Sequence, residues 1–259
     1  MSNPVFFTSP GSLAGMLPGH IFVLDGAEAR HAVTVKRLSP GEAVDIVDGA
    51  GARMAGKVVS AAASGMEVEC GSLTVEERPE VRLVLVQALA KGDRDELAIE
   101  TATELGIDAV IPWQSERSIV RWKGERAARA HAKWESSVAA AAKQARRAWI
   151  PEVRAAVDTS GLSAAVKAAD LAVILHEDAV RPFRTVLEQW HSGEGAGPRE
   201  VLLIVGPEGG IGPREVTKLC DKGAVTALLG HHVLRSSTAG PAAVVLASDI
   251  LGRWAASAL

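Results

Sequence analysis

The sequence predicts an α/β protein of two domains: a small β-barrel-like domain over residues 1–74 and a larger parallel-sheet domain over 81–259, joined by a linker at 75–80. Three observations carry this. Residues 1–74 hold short β-type runs separated by turn residues, and Met66-Glu-Val-Glu-Cys70 alternates apolar and polar as a half-buried strand does. Glu76-Glu-Arg-Pro-Glu80 is polar and contains proline, the composition of a domain boundary. From Val81 onward apolar runs alternate with helical segments, the pattern of a largely parallel sheet with its crossovers.

In the first domain the strand runs are His20–Leu24, Ala43–Val47, Met54–Val59 and Met66–Cys70. Asp48-Gly49 and Ser64-Gly65 stand between runs as hairpin turns. One helical piece, Glu28–Arg37, interrupts them and carries His31, Lys36 and Arg37. Gly51-Ala-Arg-Met-Ala-Gly56-Lys57 nearly spells a phosphate loop, but Val58 follows where Ser or Thr is needed, and the context is a hairpin.

In the second domain Val81–Leu89 is the first strand, and Asp93 with Glu96 forms a capping-box-like start to the next helix. Gly106 ends that helix in a left-handed conformation, and Ile107–Pro112 is the second strand. A long helix over 125–149 sets Arg126, Arg129, Lys133, Lys143 and Arg147 on one face, and Ala127, Trp134, Val138, Ala141 and Ala145 on another. Glu135 is the single acid between residues 126 and 150, so the basic face lacks partners along the helix. It is either a solvated face or, with Arg146-Arg147 beside Trp149, a phosphate-binding one. A helix near 160–169, strand Leu171–Leu175, a Gly-rich loop at 191–198, strand Val201–Val205, a helix from Pro213, strand Ala224–Leu229 and a final Ala/Val/Leu helix complete the chain.

Composition narrows the function classes. The formal charge is −3, with 6 Lys/Arg against 10 Asp/Glu in residues 1–80 and 22 against 21 in the rest, so an RNA partner calls for a local basic patch. Two distant cysteines, Cys70 and Cys220, suit reduced thiols in a cytoplasmic protein, and no run approaches the length of a transmembrane helix. No metal is expected: no metal-ligand spacing occurs, and the side chains of the adjacent His231-His232 diverge.

Chemistry concentrates where three strands end. Val201–Val205 runs into Gly206-Pro-Glu-Gly-Gly210, with Pro213 at a first helical position. On the glycines alone this is equally an ordinary βα connection. Leu175-His176-Glu177-Asp178 and Leu229–Ala239 end two further strands, and all three ends belong at the carboxyl edge of one sheet, where open α/β folds bind ligands. No G-x-G-x-x-G fingerprint of a dinucleotide site occurs, and no G-x-S-x-G elbow accompanies Ser236-Ser237-Thr238.

Gly206-Pro-Glu-Gly-Gly210, Leu229-Gly230 and Val233-Leu-Arg-Ser-Ser-Thr-Ala239 resemble the SPOUT methyltransferases, most of all the RsmE type, which methylates uracil N3 in small-subunit ribosomal RNA. Lys91–Glu96, Glu104–Gly106, Ser115–Ser118, Gln144–Arg146 and His31–Arg37 resemble the family's blocks in the same order, so the resemblance covers nearly the whole chain. It implies a PUA-like N-terminal barrel, a SPOUT-type sheet with a trefoil knot, S-adenosylmethionine (SAM) at the knot and a homodimer. It further implies a cofactor pocket of Leu175, His176, Gly206, Pro207, Gly209, Gly210, Leu229, Gly230, Leu234, Ser236 and Thr238. The chain departs from the family pattern at Ser237, where a carboxylate is common, and at Lys143, where glutamate is common; Lys143 adds positive charge where RNA is expected.

Arg235, the single cation in the stretch Val233–Ala239, is the expected stabiliser of charge on the uracil. Glu208 serves either as base or, preferably, to fix the glycine turn. The expected RNA contacts are Arg37, Arg94, Arg117, Arg121, Arg126, Arg129, Arg146 and Arg147, with the assembled small subunit as the substrate. The rival readings are ribose 2′-O methylation and a non-catalytic RNA-binding assembly factor.

Overall fold

The computed structural model describes residues 3–62, 64–193 and 197–254. The chain forms two compact units, Met1–Arg78 with Ala142–Ile150, and Pro79–Ala141 with Pro151–Leu259.

The first unit is a five-stranded sheet in the order β1-β3-β4-β5-β2, formed by β1 (Val5–Phe7), β2 (Ile21–Leu24), β3 (Ala43–Val47), β4 (Ala52–Ala62) and β5 (Gly65–Val75). β1 runs parallel to β3, and the other pairs are antiparallel. Among the described residues the pairing does not close into a ring, so the expected barrel is an open sheet. Register shifts at Ala55/Gly56 and Val58/Ser60 bend β4, as bulges do. At Gly56 a Cβ would lie 2.5 Å from the Glu69 carbonyl oxygen, which makes glycine obligatory there. Phe6, Ile46, Met54, Met66 and Val68 fill the core. The expected helical piece is α1 (Gly26–Arg30) continued by a π turn (His31–Val35), after which Arg37 takes φ +57°.

The sequence division had assigned residues 142–150 to the larger domain; they pack instead against the β3–β4 turn. Gly51 N–H donates to the Ala148 carbonyl (3.1 Å), Ile150 N–H to Gly49 (3.0 Å), and Arg53 to the Arg146 carbonyl (2.8 Å). Trp149 Nε1 donates to the Glu76 carbonyl (2.8 Å), and a Cβ on Gly51 would strike its ring at 2.5 Å. Hydrophobic periodicity reports which face of a helix is buried, and says nothing of a partner some 90 residues away.

The second unit is built on a parallel sheet in the order β12-β10-β11-β6-β7-β8, with β9 also paired to β7. Its elements are β6 (Val81–Ala88), α2 (Arg94–Glu104), β7 (Ala109–Gln114), α3 (Glu125–Gln144, in the first unit from Ala142), β8 (Glu152–Val153), β9 (Val157–Asp158), α4 (Thr159–Ala168) and β10 (Leu171–Leu175). They continue with α5 (Phe183–His191), β11 (Arg199–Val205), α6 (Pro213–Cys220), β12 (Val225–Ala227) and α7 (Ser236–Ile250). The strands are near-continuous apolar runs because both faces of a parallel sheet are covered. Part of the expected loop at 191–198 lies outside the described residues. No helix among the described residues is long and apolar enough to cross a membrane.

Several local expectations are corrected. Asp93 stands at the N-cap of α2, but in the left-handed region (φ +59°) and with no capping hydrogen bond, and both its carboxylate and that of Glu96 lie against Lys133 (3.7 and 2.5 Å). α3 stops at Gln144 in a Schellman-type turn: Arg147 N–H reaches the Ala142 carbonyl, and Arg146 takes φ +57°. Arg147 is therefore off the helix. The other caps hold: Gly106 (φ +102°) follows α2, and Pro213 is the first residue of α6, where Gly212 N–H donates to Glu215 (3.3 Å). At the C-terminus Arg253, nearly buried, binds the Val81 carbonyl (2.6 Å), the Gly106 carbonyl (2.7 Å) and Asp108 (2.6 Å).

Candidate active site

Parallel pairing brings the carboxyl ends of β10, β11 and β12 to one edge. Leu175 is in register with Ala227, and Ile174 with Ile204. Beyond this edge lies a cavity of about 430 Å³, within the range of small-ligand sites. Three loops line it: Leu175, His176 and Glu177; Val205 to Glu208 with Gly210 and Ile211; and Leu228 to Ser236, His231 excepted, with Ala239 from α7.

Of the expected pocket residues, Leu175, His176, Gly206, Pro207, Gly210, Leu229, Gly230, Leu234 and Ser236 line the cavity, as do both expected catalytic residues, Glu208 and Arg235. Gly209 and Thr238 do not. Gly209 turns its carbonyl to Arg117, and Thr238 is exposed on the first turn of α7 with its N–H on the Arg235 carbonyl (2.9 Å). Sequence reasoning missed Val205, Ile211, Leu228, His232, Val233 and Ala239, although most immediately flank residues it named. It treated Glu177 as part of a polar triplet that either caps a helix or faces a ligand. His176 and Glu177 line the cavity, and the α5 N-cap is Pro182.

The glycine turn is held from outside. Glu208 Oε1 accepts from Arg94 (3.0 Å) and from the Lys91 N–H (3.4 Å). Arg117 donates to the Gly209 carbonyl (2.9 Å). Inside the turn, Gly210 N–H closes on the Pro207 carbonyl (2.9 Å), and Gly210 has φ +71°. Just behind Arg94 the carboxyl of Asp95 is buried and pushed up from the ordinary aspartate range by desolvation; the N–H groups of Ala90 and Glu96 pull it the other way.

Arg235 differs from Arg94. Its guanidinium makes no hydrogen bond or ion pair with any described residue, while its backbone carbonyl starts α7. The Ser236 hydroxyl is buried in the cavity wall and has no hydrogen-bond partner among the described residues. An unsatisfied buried hydroxyl costs about 1–3 kcal/mol, which a polar ligand atom would offset. Ser237 is also buried, and the carboxylates lining the cavity are Glu177 and Glu208.

The expected RNA arginines divide. Arg94 and Arg117 hold the glycine turn, and Arg121 donates to the Glu116 carbonyl of its own loop (2.9 Å). Arg126 and Arg129 are exposed on α3, the latter 4.0 Å from Glu125. Arg37 and Arg146 are exposed in the first unit, and Arg147 is half-buried there. The basic face of α3 is partly neutralised from elsewhere: Lys133 by Glu96 and Asp93, Lys143 by Glu28 (2.7 Å). Lys143 is therefore not a free positive charge. Among the described residues no three or more His, Cys, Asp or Glu side chains gather in a form that could hold a metal ion.

A family model described as RNA methyltransferase domain matches residues 76–248, and one described as RNA methyltransferase PUA domain matches 24–69. Over 246 residues the chain is 41% identical to Ribosomal RNA small subunit methyltransferase E of Mycobacterium tuberculosis (strain CDC 1551 / Oshkosh), spanning 93% of this chain and 90% of that one. Its counterpart in Bacillus subtilis (strain 168) is 27% identical, over 84% of this chain and 86% of the relative. Among solved structures, a Ribosomal RNA small subunit methyltransferase E from Neisseria gonorrhoeae bound to S-adenosyl methionine matches with a TM-score of 0.78 at 25% identity, covering 96% of this chain and 98% of that one.

Proposed function

The chain belongs to the RNA methyltransferase family of ribosomal RNA small subunit methyltransferase E, and on that premise we propose that it methylates N3 of a specific uridine in 16S ribosomal RNA with SAM as donor. The observation that carries the cofactor reading is the buried Ser236 hydroxyl, unpartnered among the described residues, in a cavity walled mostly by backbone and aliphatic side chains, with Arg94, His176, Glu177, Glu208, His232 and Arg235 as its charged and polar members. Such a wall suits an adenine and a ribose, which need backbone N–H and C=O partners and apolar cover. Leu175, Gly206, Gly210, Leu229, Gly230 and Leu234 would hold the cofactor, which when bound supplies an electrophilic methyl group on a sulfonium.

The residues then have distinct tasks. Uracil N3 carries a proton and becomes a nucleophile when that proton leaves, which puts negative charge on the neighbouring carbonyl oxygens. Arg235, unengaged among the described residues and lining the cavity, is the group to stabilise that charge. Glu208 is committed to Arg94 and Lys91, which favours the loop-fixing role over that of base. Positioning the base in line with the methyl group supplies a large part of the remaining rate.

A trefoil knot is part of this reading. β12 lies at the sheet edge beyond β10, yet α7 packs back over β6, where a Cβ on Gly240 would sit 2.9 Å from Leu85. The connection must therefore pass the end of β10, and Arg181 and Phe183 bracket it by hydrogen bonds to Leu228 (2.8 and 2.9 Å). A homodimer also belongs to the reading, supported by the exposed Val180 and Val233 beside the cavity loops. So do RNA contacts by Arg37, Arg126, Arg129, Arg146 and Arg147, and a cytoplasmic location.

The test is nucleoside analysis of 16S RNA from small subunits of a deletion strain, treated with the purified protein and SAM. New 3-methyluridine is expected. A 2′-O-methylated nucleoside would establish the sister activity, and no SAM binding by calorimetry would point to an assembly factor.

A further inference from the structure

The glycine turn has few anchors of its own. Of Gly206-Pro-Glu-Gly-Gly210 only Pro207 and Glu208 carry side chains, and one internal hydrogen bond closes it. Its other fastenings come from the two strands next in line along the sheet. β6 neighbours β11, with Gln87 in register with Val205, and β7 neighbours β6, with Trp113 in register with Ala88. The loops leaving β6 and β7 therefore emerge beside the glycine turn. Each delivers one arginine to it.

Arg94, at the first position of α2, meets Glu208 at 3.0 Å and itself lines the cavity. The N–H of Lys91, from the same loop, reaches the same carboxylate oxygen. Arg117, from the loop after β7, lies along the two glycines. A Cβ on Gly209 would stand 3.7 Å from the Arg117 Cβ, and one on Gly210 would stand 3.8 Å from its Nη1, while that nitrogen donates to the Gly209 carbonyl. One arginine thus grips the turn by its single acid and the other by its backbone.

We propose that Arg94 and Arg117 are positioning residues of the cofactor pocket: together they set the backbone of residues 206–210 in the shape that receives SAM, so their first effect is on cofactor affinity rather than on RNA affinity. This rests on the SAM-binding reading given above. It reassigns two arginines whose sequence context pointed to phosphate. An arginine that serves as a phosphate ligand has its donors turned outward, whereas here each has committed a donor to the turn. The preference for arginine at both places follows from its geometry, since a fixed fork of five N–H donors can bind a carboxylate or carbonyl and stay in register.

The experiment is calorimetry of SAM and S-adenosylhomocysteine, without RNA, on the full chain and on Arg94→Ala, Arg94→Lys, Arg117→Ala, Glu208→Gln and the double variant Arg94→Ala/Glu208→Gln. Arg94→Ala and Glu208→Gln are each expected to weaken cofactor binding by about three- to fivefold, the scale of a half-exposed charge pair. The double variant should be no weaker than either alone, because both remove the same contact. Arg117→Ala should cost about tenfold, as loss of a charged donor to a backbone carbonyl. Arg94→Lys should recover part of the loss, and in turnover KM for SAM should rise while KM for RNA stays within twofold.

Unchanged cofactor affinity in both alanine variants, with RNA affinity reduced, would overturn the proposal and make these arginines RNA ligands. Additive losses in the double variant would overturn the Arg94–Glu208 part. Failure of the unsubstituted chain to bind SAM would instead overturn the functional reading. Glu208→Gln keeps the test usable if an arginine variant folds poorly, because Glu208 is exposed and its substitution removes one charge only.

Discussion

Two walls of the cavity, the turn at 206–210 and the loop at 229–235, are built on opposite principles. The first is short and rich in glycine, yet held at Glu208, at the Gly209 carbonyl and between Pro207 and Gly210. The second is longer, and residues 231–235 are all exposed. Among the described residues, no backbone group from Leu229 to Leu234 makes a backbone hydrogen bond; the first such bonds are those to Leu228 and Arg235 on either side. A wall held at several points costs no ordering when a cofactor arrives, and one held at its ends adapts to a second substrate. On the function proposed above, the fixed wall would preform one side of the cofactor pocket, and the loose one, which would meet the cofactor at Leu229, Gly230 and Leu234, would bring the unengaged Arg235 to the RNA base.

The strongest test of this contrast is Arg235→Ala. It should lower kcat by about 100- to 1,000-fold, the scale of removing one group that stabilises developing charge, while SAM affinity measured by calorimetry stays within about threefold. Equal losses in both would place Arg235 on the cofactor and break the comparison.

Next in size is Gly206→Ala. Its Cβ would lie 2.5 Å from Ile211 Cγ1, behind the fixed wall, so either the turn or the buried Ile211 has to move. A loss of about 1–3 kcal/mol in stability is expected by denaturant titration, with cofactor affinity falling alongside. In the loose wall the same change should be tolerated: Gly230 has open space around the added atom, and Gly230→Ala should leave stability within about 0.5 kcal/mol.

The smallest effect concerns pH. Burial raises the carboxyl of Asp95, the chain neighbour of the Arg94 that grips the fixed wall. In the folded state its ionisation is therefore disfavoured relative to the unfolded chain. This cost is absent below the ordinary aspartate range and complete above the raised value. As pH falls through that window the unsubstituted protein should gain stability relative to Asp95→Asn, whatever their offset at pH 7. Parallel stability–pH curves for the two would remove Asp95 from the account.

Much of the larger domain was readable, although β8, β9 and α5 were not anticipated. Leu171–Leu175 coincides with β10, and the runs at 81–89 and 201–205 differ from β6 and β11 by only one or two residues. Parallel strands are apolar throughout, and Gly106 and Pro213 marked helix ends by backbone constraints that need no partner. The cavity was equally readable because three strand ends of one parallel sheet must share an edge. Arg94 was expected to contact RNA because its partner was out of view: the Glu208 carboxylate it meets lies 114 residues on. The same holds for Lys133 and Lys143, whose counter-ions lie on other elements, and for residues 142–150, whose partner is the β3–β4 turn.

The stretch Val201–Gly210 carries both lessons. Its five apolar residues dictate a buried parallel strand, and its glycines dictate a turn without long side chains, because these are properties of local backbone and hydrophobicity. The family resemblance of the same residues was legible for a similar reason, since motifs are local strings. Which groups hold the turn is a matter of which loops the sheet order sets beside it. Ion pairs and orphaned hydroxyls such as that of Ser236 arise between residues far apart in the chain, and chain folding alone brings them together or leaves them unpaired.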